Sequence, residues 1–236
     1  MEKETQKDVG YAVVKAGLGS IPIIGAAVGE LFQLLVTPPL EKRRTEWMNN
    51  IAKKLKELEE NKNLNLEELR ENELFIDVVT QATQLAIKTS ETEKLEYLKN
   101  AVLNAATEES LDISETQVFL NFVSDFTVWH VKILKLFDDP TEWFKINNKK
   151  PKDYFSAGLS NILLDAYPEL NGRGEFYNLV WKDLERCGFH RTSDLNASMT
   201  GTGLMAKRTT NFGKKFLEFI TENPLKNTAP NSGYPL

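Results

Sequence analysis

The chain has 236 residues, is 41% hydrophobic and carries a formal charge of −5, with 29 Lys and Arg against 34 Asp and Glu. It is apolar enough to bury a substantial core, which excludes disorder for most of its length. No segment has the clear basic excess of a surface that neutralises many phosphates, so nucleic acid is disfavoured as a main partner.

The first predicted element is also the least charged. In GSIPIIGAAVGELFQLLVTPPLEKRR, residues 19–44, Glu30 is the only charged side chain before Glu41. Ser20 ahead of Ile21-Pro22 predicts a helix start, because proline's missing N–H is no loss in a first turn. Ile21, Ile24, Val28, Leu31 and Leu35 recur at helical spacing, and Thr37-Pro38-Pro39 predicts a stop, since the residue before proline is pushed out of the α region. A helix is therefore expected over 20–36.

The uncharged run Ala16–Gly29 has the length of a buried or interfacial helix more than of a membrane span. Gly25 and Gly29 clear one face for the close approach of another helix, in lipid or in water. Reading on to about Leu40 gives enough length to cross a bilayer, but Glu30 must then be protonated, paired or displaced. Lys42, Arg43 and Arg44 would lie at the headgroups. Gly25, Val28, Gly29 and Glu30, with that basic flank, are the candidate residues for self-association or triggered membrane contact.

From Glu41 to Glu60, Trp47, Ile51, Leu55 and Leu58 form one apolar stripe among charges, the pattern of a solvated amphipathic helix. Capping-box spacings at Asn65/Glu68, Ser90/Glu93 and Ser114/Gln117 predict the next helix starts. Helices are expected at 66–88, interrupted near Asn72, and at 91–106. All of the acid excess falls in 61–113. In the third, Val118, Phe119, Phe122, Val123 and Phe126 share a face. Thr127 restarts the helix, and Asp138-Asp139-Pro140 ends it.

NNKKPKD at 147–153 is polar and proline-interrupted, and is the predicted boundary between a 1–150 helical bundle and a second domain at 151–223. There YFSAGLSNILLDAYPEL and GEFYNLVWKDLERCG read as helices, with Gly188 at a left-handed cap. FHRTSD and LMAKRTT read as short strands flanking LNASMTGTG as a flexible tip, and NFGKKFLEFITEN closes as a helix. That order is winged-helix-like, and 224–236 is a frayed tail. The fold class expected is mostly α, a helical bundle followed by a small winged-helix-like α+β unit.

Three stretches carry a resemblance: EKLEYLKNAVLNAA at 93–106, FLNFVSDFTVWHVKILKLFDD at 119–139 and TNFGKKFLEFI at 210–220. The last holds a pattern of Thr210, Phe212, Gly213 and Phe216. In order and spacing over roughly 66–222 the chain resembles the abortive infection alpha family of bacterial proteins. The resemblance implies a role in defence against phage and supplies no catalytic residues.

Residue chemistry gives no catalytic assignment. His130 lies in an apolar helix, where a hydrogen-bonded structural role is expected. His190 follows Cys187 by three positions, which permits a nucleophilic pair but offers no third orienting residue. No zinc spacing, dinucleotide loop or P-loop is present, so no metal, cofactor or small-molecule substrate is expected. The four tryptophans read as core residues rather than a stacking platform. Lys182, Arg186, Arg191, Lys207 and Arg208 are the candidate contacts for DNA or a protein partner, although Glu175, Asp183 and Glu185 oppose the first two.

A lone cysteine cannot close an internal disulfide, and MEKETQKDVG lacks the basic and apolar regions of a signal peptide, so a cytoplasmic chain is expected, with peripheral attachment at the inner membrane as the variant of that expectation. The function expected is a non-enzymatic defence or toxin-type protein acting through its apolar helix. The alternatives are a winged-helix regulator on DNA and a protein-docking adaptor.

Overall fold

The computed structural model describes residues 26–61, 64–107 and 112–222, with side chains of the first helix described at Gln33, Thr37 and from Pro39 onward. The expected helix start at Ser20, Gly25 and the tail 224–236 lie outside the described residues. Two compact units divide the chain, Met1–Thr45 and Glu46–Leu236. Among the described residues the protein is mostly helical, with eleven α-helices and a two-stranded sheet.

Helix α1, Ala26–Glu60, is 35 residues long and runs through Pro38-Pro39, where a stop was expected. Proline's own φ is helical, and its restriction on the preceding residue is a bias that helix on both sides overrides. Lys42, Arg43 and Arg44 are consequently exposed positions inside the same helix rather than a flank beyond its end. Trp47, Ile51 and Leu58 are buried as the stripe predicts, and the Trp47 indole N–H donates to Thr83 Oγ1 at 3.0 Å.

Helices α2 (Leu66–Leu69) and α3 (Glu73–Lys88) are separate, as expected, because Asn65 and Asn72 each cap a start. Asn65 accepts from Glu67 N–H at 3.1 Å and donates to Glu68 Oε1 at 2.7 Å, while Asn72 accepts from Phe75 N–H at 3.0 Å. Helix α4, Thr92–Thr107, begins one residue late: Thr89 Oγ1, rather than Ser90, takes a backbone donor, Glu91 N–H at 3.2 Å. Helix α5, Ile113–Asp125, is capped by Asp112, which accepts from Glu115 N–H at 2.8 Å. Asp112 precedes the expected Ser114, and of the residues expected to share a face Val118 is exposed while Phe119 and Val123 are buried, because adjacent helix positions lie about 100° apart.

Helix α6 (Val128–Asp138) starts after Thr127 and stops at Asp138, as expected; Asp139 then accepts from Glu142 N–H at 3.1 Å and caps a further helix, α7 (Pro140–Ile146), where only a stop was read. Then strand β1, Ser156–Ala157, precedes helix α8, Leu159–Ala166, and a 3-10 turn, Pro168–Leu170. Helix α9, Gly174–Arg186, ends at Gly188, whose φ of 81° is the left-handed cap predicted for it. Beyond it the expected strands shrink to one antiparallel bridge, His190 with Thr209.

The ladder forms elsewhere, between β1 and β2, Met199–Thr200, in the register Ser156 with Thr200 and Ala157 with Met199. The segment read as a flexible tip is therefore tied down. Leu195 is buried, its carbonyl accepts from Ser160 N–H at 3.0 Å, and Gly201–Leu204 forms the short helix α10. A Cβ on Gly201 would lie 2.9 Å from the Tyr154 carbonyl oxygen, so glycine permits this backbone approach.

Helix α11, Asn211–Ile220, explains the Thr-x-Phe-Gly-x-x-Phe pattern. Thr210 Oγ1 accepts from Gly213 N–H at 3.1 Å and donates to the Gly188 carbonyl at 2.8 Å. A Cβ on Gly213 would meet Thr209 Cγ2 at 2.6 Å and the Phe189 carbonyl oxygen at 2.9 Å. Phe212 and Phe216 join Phe119, Phe122, Phe126 and Phe189 in a cluster with ring centroids 5.0 to 6.3 Å apart. At the other end, the buried Asn104 amide of α4 donates to the carbonyls of Glu218 (2.9 Å), Phe219 (2.9 Å) and Thr221 (3.0 Å). Asn100, one turn earlier, reaches the Ile220 carbonyl at 3.2 Å.

One buried cluster runs from Trp47 to Ile220 and draws on both sides of the 147–153 stretch. Its least replaceable parts hold α11. Urea titration should show Asn104→Ala losing about 1 to 3 kcal/mol, the cost of leaving buried acceptors without donors. Gly213→Ala should lose a similar amount through overpacking. Unchanged midpoints for both would contradict this account of α11.

Candidate functional site

The residues expected to act fall in different surroundings. Gly25 lies outside the described residues, and Val28, Gly29 and Glu30 are in α1 without described side chains. On α9, Lys182 pairs with Glu185 at 3.1 Å and Arg186 with Asp183 at 3.0 Å. Lys207 pairs with Asp139 at 2.6 Å. Phosphates would have to compete with these carboxylates. Arg191 is exposed.

Arg208 is turned inward. Its guanidinium donates to the Gly203 carbonyl and lies 3.2 Å from Met199 Sδ, and its backbone N–H donates to the Phe137 carbonyl at 2.8 Å. Sequence places it beside Lys207 as a second surface cation; packing makes it a strut between α6 and the β2–α10 segment.

Both histidines are buried and hydrogen-bonded. The proton of neutral His190 sits on Nε2, which donates to the Trp181 carbonyl at 3.0 Å, while Nδ1 accepts from Thr192 N–H at 3.2 Å. The ring stacks on Trp181 with centroids 3.7 Å apart. With both nitrogens engaged by backbone, it does not pair with Cys187, whose thiol is pushed up by burial. His130 has the structural role expected of it. Its Nδ1 takes the Thr127 N–H at 3.1 Å, its ring stacks on Phe126 at 4.6 Å, and Nε2 lies 3.6 Å from Asp183 Oδ2. Burial lowers its pKa, against a smaller opposing pull from Asp183.

Among the described residues, concave surface lies around Lys150–Tyr154. Two open grooves of about 450 and 390 Å³ share Lys150, Lys152 and Tyr154 as wall. Asn161, Asp165 and Asn171 complete the first; Gly201, Leu204 and Met205 complete the second. The Asp165 side chain is 6% exposed and accepts from Lys152 N–H at 2.8 Å. Phe155, next to this wall, is 99% exposed. Sequence reading missed this place because its residues come from 150–171 and 201–205, and only the β1–β2 pairing brings those stretches together. Among the described residues no group of His, Cys, Asp and Glu could hold a metal ion.

A second grouping escaped the reading of the tryptophans as dispersed. Trp129 and Trp143 both pack against Tyr167, with centroids 5.4 and 5.1 Å away. Lys149 lies over Trp143 and Tyr167, and Lys132 over Trp129. For the lysine alone a signal was available in Asn147-Asn148 after α7, since asparagine accepts the left-handed conformation at a helix end and so turns the chain toward Lys149.

No family model, curated protein or solved structure matches this chain.

The histidines generate a pH prediction. His190 is pushed down to about 4 by burial, from an ordinary 6.5. The unfolded chain therefore binds more protons between those values. The contribution is complete above pH 6.5 and lost as pH falls toward 4, about 3 kcal/mol in all. Urea midpoints measured from pH 7 to 4.5 should fall less steeply for His190→Gln than for the natural chain. Parallel curves would show that another group carries the acid sensitivity.

Proposed function

We propose that this chain is a non-enzymatic interaction protein of the bacterial defence or toxin type, acting by self-association through the apolar stretch 20–36. The observation that supports the reading is the continuity of α1. One helix carries both the weakly charged sequence Ala26–Leu40 and the half anchored by Trp47, Ile51 and Leu58. Self-association is favoured over insertion because Glu30 stands within the apolar run, and a charged side chain at mid-bilayer is costly. The defence setting rests on the family resemblance. Its three stretches pack together in the core through Asn104 and the phenylalanine cluster.

The finer reading of 151–223 is a winged-helix-like unit, α8 and α9 followed by the His190–Thr209 bridge and α11. We take it as a protein-docking module in the cytoplasm rather than a DNA reader, because Lys182, Arg186 and Lys207 are each engaged by a carboxylate.

Light scattering after size exclusion should find the natural protein associated, and Val28→Lys at least about tenfold weaker with unchanged circular dichroism. Flotation with anionic liposomes in parallel separates lipid binding from self-association. A natural protein that stays monomeric at every concentration and ignores vesicles would end this reading.

A further inference from the structure

The Lys149 ammonium sits in a cation site made by its own chain. It lies 5.6 Å from the Trp143 ring centroid and 5.8 Å from that of Tyr167, within cation–π range of both. It also donates to the Ala166 carbonyl at 2.5 Å. Ala166 is the last residue of α8, so this oxygen is one of the helix's orphan acceptors, at the negative end of its dipole.

The rings do not depend on Lys149 for their position. Trp143 packs edge-on against Phe144 at 5.2 Å, Tyr167 packs against Trp129, and the Tyr167 hydroxyl donates to the Lys132 carbonyl at 3.3 Å. Lys149 is instead delivered by the end of α7. Asn148 takes a φ of 50°, and the Lys149 N–H closes back on the Phe144 carbonyl at 3.0 Å. As a residue Lys149 remains exposed.

We infer that Trp143, Tyr167 and the Ala166 carbonyl form a binding site for a primary alkylammonium, which Lys149 occupies as a displaceable internal ligand. The carbonyl selects a primary amine, which keeps an N–H to donate, over a quaternary one. Lys150 and Lys152, which wall both grooves, follow directly in the chain, so an incoming amine would release the segment that shapes them. A tethered competitor acts at an effective concentration in the millimolar range, so the natural chain binds an outside amine weakly.

The test is titration of Lys149→Ala and of the natural protein with 1,5-diaminopentane and with a short lysine-containing peptide, following the Trp143 indole resonance. The variant should bind saturably, and the natural protein about tenfold more weakly. Binding of the peptide alone identifies a protein lysine as the ligand, binding of the diamine alone a small amine, and binding of both the shared ammonium chemistry. A fully acetylated diamine, which leaves the protein unaltered, should not bind. Failure of both probes to saturate the variant, equal affinity of the two proteins, or an equal response to the acetylated probe would overturn the assignment.

Discussion

The hydrogen bonds from Asn104 to the end of α11 are the constraint on which the larger unit depends. A buried amide with two N–H donors meets three carbonyls at the helix end, where intrahelical donors run out. Thr210 fixes the opposite end to the Gly188 carbonyl. Held at both ends, α11 has one rotational setting. Phe212, Phe216 and Phe219 then face Phe119 of α5 at 5.2 to 5.7 Å. Gly213 allows that setting to be close enough for the Phe189 backbone to lie against the helix.

Two helix stops use the same device for different ends. After α9, Gly188 turns left-handed and Phe189 N–H closes on the Leu184 carbonyl at 2.9 Å, sending a phenylalanine into the core. After α7, Asn148 makes the equivalent turn and sends Lys149 across two rings at the surface. Glycine and asparagine are the residues that tolerate this conformation at least cost. The residue that follows each stop decides whether the turn serves packing or an electrostatic contact.

Much of this was legible in the sequence where the signal is local. Asn65, Asn72, Thr127 and Gly188 act within a turn of where they stand, and the Trp47–Leu58 stripe needs only helical spacing. Stops and pairings were less legible. Pro38-Pro39 reads as a break because local bias ignores the helix on both sides. The strand pairs of β1 and β2 are only two residues long, too short for an alternation to register. Of the site residues, the pairings of Lys182 and Arg186 lie within a turn of their own helix and were foreseeable. Arg208's inward turn and the Trp129–Trp143–Tyr167 grouping depend on contacts across elements, which no spacing encodes.

The passage of α1 through two prolines has a further effect on its backbone. Pro38 and Pro39 have no N–H, so the carbonyls of Leu34 and Leu35 lack the donors that the rest of the helix receives four residues on. Two neighbouring oxygens on the helix wall then call for water or another polar donor, because in hydrocarbon each unmet group costs several kcal/mol. The carboxyl-terminal part of the apolar stretch is thus poor in charge along its side chains yet hydrophilic along its main chain.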